Sequence, residues 1–171
     1  MSQQQRAELL QEPAFKALSP GIRDDWTAIA AQGLFPPWQR ILFRNYPQFT
    51  RRLTAALHKA GVPLLLGTDS LGAPLAVPGF SAHQELQLLI ESGLTPYEAL
   101  RTATVNPADF LRKEDEFGTI AVGKRAELLL VWADPLVDIR TLKSPIGVMV
   151  RGKWLPSEEL QSMLHSLAQQ N

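Results

Sequence analysis

A chain of 171 residues, 45% hydrophobic and 20% charged, carries enough apolar surface for one ordinary globular domain. Its 17 Lys and Arg balance 17 Asp and Glu, so it lacks the basic excess of a general nucleic-acid or membrane-surface binder. Without cysteine it can form no disulfide, thiolate zinc site or cysteine nucleophile; any metal must be held by nitrogen and oxygen, and the histidines are His58, His83 and His165.

The first residues, Met1 to Arg6, are polar and lack the apolar centre of a signal peptide. No apolar run approaches the ~20 residues of a membrane span. The expectation is a cytoplasmic protein. Pro13, Pro20 and the pair Pro36-Pro37 then break the opening stretch into short helices. Ser19-Pro20 opens one that runs through Trp26 and Ile29. The segment 32–47, with Gly33, two prolines and several aromatics, reads as a loop that packs on something.

From Gln48 the pattern sharpens. Phe49, Leu53, Ala56, Leu57 and Ala60 fall on one helical face, and Gly61 stands where a C-terminal cap glycine belongs. Val62 to Leu66 is nearly all apolar, which predicts a short strand buried in a parallel sheet. Gly67-Thr68-Asp69-Ser70 ends it. The Gly- and Pro-rich stretch 71–81 reads as an exposed loop. A helix follows over 82–92, with Leu86, Leu89 and Ile90 inward and Gly93 as its stop. Thr95-Pro96-Tyr97-Glu98 is a capping box opening a helix through Ala99, Leu100 and Ala103. Asn106-Pro107 starts one more, reaching Phe110 and Leu111.

After Glu116 the grammar changes. Thr119-Ile120, Leu128 to Trp132, Val148 to Val150 and Lys153 to Leu155 read as short strands, separated by turn residues such as Gly123-Lys124, Asp134-Pro135 and Arg151-Gly152. Ser157 then caps a helix whose Leu160, Met163, Leu164 and Leu167 share a face. The fold class is α/β. The domain expectation is an α/β part over 1–116, a small antiparallel module over 117–155 and a terminal helix over 156–171.

Asp69 is the sharpest candidate for chemistry. It lies past the C-terminal end of an apolar strand, the edge at which barrels and open α/β sheets bind ligands. A carboxylate there can ligate a divalent metal or take a proton from metal-bound water. The bland alternative is a turn cap, with the carboxylate accepting from backbone N–H groups of the following turn. Ser70 and His83 are candidates for contact with a substrate, His83 because the start of the next helix can reach the mouth of the same site. The alternative for His83 is an ordinary helix-entry residue. His83 and Glu85 are two apart and point to different faces of a helix, a poor chelate. His58, His165 and Asp115 read as solvated. There is no His-x-His, Glu-x-x-His or nucleophile elbow.

Three ordered segments resemble the amidohydrolase superfamily in its imidazolonepropionase-like and prolidase-like branch. They are Gly61 to Ser70; His83-Gln84-Glu85-Leu86 leading into Ser92 to Arg101 and then Ala103 to Ala108; and Phe117 to Leu128 followed by Asp134-Pro135-Leu136. Order and spacing agree over roughly residues 60 to 155. One departure is Glu127, where the family usually has Asp after its Gly-Lys-x-Ala run.

The resemblance implies a (β/α)8 TIM barrel with a composite β-sandwich made from both chain ends. Asp69 matches the aspartate after the last barrel strand, a metal ligand and general base. It further implies one or two divalent metals, zinc first, and a small amide or dipeptide-like substrate cleaved at a carbon–nitrogen bond by metal-activated water. The family's His-x-His pair, its mid-barrel Lys or Glu ligand and the histidines after it have no counterpart here. A barrel also needs roughly 250 residues. The expectation is therefore the C-terminal portion of such an enzyme: the last barrel strand, its flanking helices and part of the sandwich, inactive as an isolated chain. The rival is a non-catalytic binding or assembly module on the same fold, its open edges completed by a partner or by self-association into a homo-oligomer.

Overall fold

The structure is a computed structural model that describes residues 3–32, 44–70 and 74–170. In chain order the elements are α1 (Gln3–Gln11), α2 (Pro13–Lys16), α3 (Pro20–Gln32), α4 (Tyr46–Lys59), α5 (Phe80–Glu91), α6 (Pro96–Ala103), α7 (Val105–Phe110), β1 (Leu128–Leu130), a 3-10 turn (Ile139–Lys143), β2 (Gly147–Val150), β3 (Lys153–Pro156) and α8 (Ser157–Gln170). They divide into two compact units. One comprises Met1–Asn45, Thr68–Ser81 and Glu158–Asn171; the other comprises Tyr46–Gly67 and Ala82–Ser157.

In the first unit, Pro13 and Pro20 stand at the first positions of α2 and α3, where a missing N–H costs nothing. Leu9, Phe15, Trp26 and Ala30 from α1 to α3 form a core with Leu75 and Val77. The rings of Phe15 and Trp26 meet at 6.4 Å between centroids. The expectation of an exposed loop over 71–81 fails here: Val77 is 1% exposed, Leu75 is also buried, and Phe80 already belongs to α5. Proline and glycine in this stretch specify where the chain turns. The apolar residues between them are what the turns deliver to the core. Residues 33–43, most of the expected loop over 32–47, lie outside the described residues, as do 71–73. On α8, Met163, Leu164 and Leu167 do share a face, and that face is exposed.

The second unit begins with α4, whose end is a Schellman motif. Gly61 N–H donates to His58 O at 2.9 Å, and Val62 N–H donates to Leu57 O at 3.0 Å. Gly61 sits at φ +74°, a conformation disfavoured for L-residues. α5 ends the same way: Gly93 N–H donates to Ile90 O, Leu94 N–H donates to Leu89 O, and Gly93 has φ +107°. Leu89 and Leu94 belong to one core with Leu86, Ala99, Ile139 and Leu142. α6 starts at the expected capping box, with Glu98 N–H donating to Thr95 Oγ1 and Thr95 N–H to Glu98 Oε2.

Between α4 and Gly67 the chain is extended, but it is not a strand. Among the described residues it has no ladder partner, so the predicted strand at Val62–Leu66 is corrected to an unpaired extended segment. Two bonds fasten it instead. Leu66 N–H donates to Thr102 O at 3.0 Å, and Asn106 Nδ2 donates to Leu64 O at 2.9 Å. Leu64 and Leu66 pack on the core, whereas Leu65 between them is 42% exposed. A strand pattern can be written locally, but the ladder needs a neighbour.

The three strands form one antiparallel sheet in the order β1-β2-β3. Leu128 pairs with Met149, and Val148 pairs with Leu155. Arg151 (φ +50°) and Gly152 (φ +81°) make the two-residue turn, both in the left-handed region that matches hairpin twist. The expected strand at Thr119-Ile120 is absent. That stretch is a loop held from the side by Lys124 Nζ, which donates to Thr119 Oγ1 and Glu114 O. Trp132 and Val137 lie largely exposed beside the sheet. No helix among the described residues is long and apolar enough to cross a membrane.

The α4 stop makes a clear expectation. Gly61→Ala should lower the unfolding free energy by about 1 kcal/mol, the cost of holding an L-residue left-handed. A urea titration of the two proteins measures it, and an unchanged midpoint would contradict the role of Gly61.

Candidate functional site

Asp69 follows the extended segment directly and belongs to the first unit. It is exposed, with φ +49°. Aspartate is one of the few non-glycine residues that visits this region, at a cost of roughly 1–2 kcal/mol. Among the described residues its carboxylate has no hydrogen-bond or ion-pair partner. The turn-cap alternative would draw largely on N–H groups of residues 71–73, outside the described residues.

The residues on either side of Asp69 are tied to each other. Thr68 Oγ1 and Ser70 Oγ are 2.7 Å apart, and Ser70 Oγ lies 2.9 Å from Ser81 Oγ. Ser81 Oγ–H donates to Val77 O at 2.9 Å. Each hydroxyl has one proton, and the chain ends on a carbonyl that can only accept. The polarity is therefore set: Thr68 donates to Ser70, Ser70 to Ser81, and Ser81 to the backbone. Ser70, a candidate substrate contact, has its proton committed inward. Toward a ligand it offers only a lone pair. Ser81 was not a candidate in the sequence, although a serine in the first turn of a helix is a signal for local hydrogen bonding.

His83 lies on α5 in the second unit. Its Nδ1 is buried without a hydrogen-bond partner among the described residues. Burial, and secondarily the positive charge of Lys143, push its pKa below the usual histidine range. Both effects disfavour the charged form of the ring. Glu85, half-buried, is pushed up by burial.

The remaining histidines differ from expectation in one case. His58 is not simply solvated: its Nε2 lies 3.4 Å from Glu98 Oε1, joining the end of α4 to the start of α6. Glu98 is held low mainly by its hydrogen bonds from Thr95. The pair borders a cavity of about 200 Å³ lined also by Val62, Leu64, Arg101 and Asn106. His165 is exposed on α8 against Gln169, and Asp115 is exposed.

Among the described residues, no three His, Asp or Glu gather into a group that could hold a metal ion. Asp69 offers one carboxylate. The described residues therefore do not by themselves fit a divalent-metal site, which needs several ligands converging on one point.

Comparison with known proteins puts this geometry in a family context. Residues 44–155 match the model of the Amidohydrolase family. The chain is 38% identical over 99 residues to an imidazolonepropionase of Caldanaerobacter subterraneus subsp. tengcongensis, covering 55% of this chain and 22% of that protein. A solved bottromycin amidohydrolase superposes with a TM-score of 0.70 at 28% identity, covering 94% of this chain and 36% of the other. A Xaa-Pro dipeptidase solved with methionine in its active site gives 0.56 at 28% identity, over 62% and 25%. The chain spans about a fifth of the length of the curated relatives it matches.

The half-buried ring of His83 makes stability depend on pH with a definite sign. Its folded pKa lies below the ordinary value of 6.5, so the unfolded chain binds the proton more readily. Stability tied to His83 is complete above pH ~6.5 and is lost as pH falls toward the folded value. In chemical denaturation between about pH 7.5 and pH 5.5, the loss of stability on acidification should be smaller in His83→Gln than in the wild type. Equal losses would contradict the partial burial of the ring.

Proposed function

Because the chain belongs to the amidohydrolase family, we propose that it is the C-terminal part of a hydrolase that cleaves carbon–nitrogen bonds in small amides. The observation that carries this is Asp69: an exposed carboxylate without a described partner, at the end of an apolar extended segment, inside the matched region. Hydrolysis of an amide needs a water deprotonated as it attacks the carbonyl carbon, and a proton for the departing nitrogen. A carboxylate beside the water can accept the first proton and supply the second. That is the role assigned to Asp69.

The family implies a divalent cation, zinc first, which supplies Lewis-acid polarisation and a more acidic water. In this chain only Asp69 is assigned to its ligand set, so the other ligands must come from residues beyond those described. The chain alone is accordingly read as inactive. The segment Val62–Gly67 is read as the last strand of a barrel, its ladder supplied by strands the described residues do not include. Residues 1–116 then belong with the barrel, 117–155 with a composite sandwich, and 156–171 form a terminal helix. Dipeptide-like and cyclic amides are the proposed substrates, following the relatives named a Xaa-Pro dipeptidase and an imidazolonepropionase.

Two measurements test this. Metal analysis of the purified chain after zinc exposure should find far less than one ion per chain, with no turnover of a dipeptide amide. When a relative truncated before its own last barrel strand is supplied in trans, turnover should appear, and Asp69→Asn should reduce it by about 100-fold or more. Stoichiometric zinc with turnover by the chain alone, or turnover indifferent to Asp69→Asn, would refute the proposal.

A further inference from the structure

Asp69 is exposed and holds an unfavourable backbone conformation, and something must keep it there. Three other described non-glycine residues lie in the left-handed region: Leu75 in a turn, Arg112 at a helix end and Arg151 in the hairpin turn. Asp69 stands in none of these places, just before Ser70, whose backbone makes an isolated β-bridge. What it does have is a bridge of side chains across it. Thr68 Oγ1 and Ser70 Oγ, one residue to each side, are 2.7 Å apart. Ser70 is fastened at 2.9 Å to Ser81, which is 5% exposed. Ser81 is fastened in turn to the carbonyl of Val77, a residue 1% exposed in the core of the same unit. A continuous path therefore runs from buried backbone to the two residues flanking the carboxylate.

The geometry points to Ser81 as a positioning residue for Asp69, acting through Ser70 and Thr68 to hold the carboxylate's aim. Ser81 touches no reacting atom. Its hydroxyl terminates the chain and sets its direction, because it must donate to Val77 and can therefore only accept from Ser70. Removing that acceptor frees the Ser70 proton to turn elsewhere. The bridge across Asp69 then loses its anchor, and the backbone can relax out of the left-handed region. The inference rests on the reading of Asp69 as the reacting carboxylate, but its first test does not.

That test is nuclear magnetic resonance on the isotope-labelled whole chain, following the amide, Cα and Cβ signals of Asp69. Ser81→Ala should displace them, and Ser81→Thr, which restores a hydroxyl, should return them toward the wild-type positions. Thr68→Val cuts the path at its other end while keeping the side-chain shape, so it should displace them too. The indole signal of Trp26 reports whether the core is intact, and Thr68→Val decides the matter if Ser81→Ala does not fold. Asp69 signals unmoved in the folded variants would overturn the inference.

In the enzyme complemented in trans, Ser81→Ala should lower kcat by about tenfold and leave KM within about twofold, as misaiming rather than lost binding requires. A rise in KM with kcat unchanged would overturn it. If the Asp69 signals shift as expected while Asp69→Asn leaves turnover unchanged, the network is upheld and the assignment of Asp69 to the chemistry falls.

Discussion

An extended apolar segment without a neighbouring strand among the described residues must still satisfy its backbone, and the second unit supplies partners for Val62–Gly67. The side chain of Asn106 reaches Leu64 O, and Leu66 N–H reaches the carbonyl of Thr102 in the last turn of α6. Two bonds in place of a ladder leave Leu65 outward and hold Leu64 and Leu66 on the core of Leu86, Leu89 and Leu94. Unpaired polar backbone is tolerable only where water can reach it. The segment is thus fixed on one side and open on the other, the condition of an edge strand.

Two residues past its end stands the carboxylate of Asp69. The Amidohydrolase family fold belongs to the TIM-barrel class, in which catalytic groups follow the strands. Here one carboxylate follows one extended segment. Hydroxyls that cannot themselves be charged at neutral pH hold the backbone on either side of it, and none of them takes up the carboxylate's own lone pairs. Support of this kind restrains position while leaving the charge available. His83 illustrates the opposite arrangement, a ring half-withdrawn from water beside a cation, which disfavours its charged form.

The features legible in the sequence were those written in neighbouring residues. The capping box at Thr95 and Glu98, the stops at Gly61 and Gly93 and the turn at Arg151-Gly152 all lie where local spacing puts them. Local spacing could not show that Val62–Leu66 lacks a ladder, since pairing is decided by residues far away in sequence or absent from it. It also misjudged 74–81, because Leu75 and Val77 were overshadowed by the prolines and glycines around them. Ser81 escaped notice for a related reason: an isolated serine acquires its role only from Ser70, eleven positions earlier. For Asp69, position along the chain indicated the candidate, and only the bonds around it indicated how it is held.

The paired helix stops have a stereochemical consequence. At Gly61 and Gly93 nothing lies within 4 Å of the place where a Cβ would stand. Size is therefore not what these sites select against. What they reject is handedness: every L-side chain is strained at these φ values, while its mirror image would be at ease. A chain made by chemical synthesis with D-alanine at either site would adopt these φ values without that strain and would lose the extra freedom glycine has when unfolded.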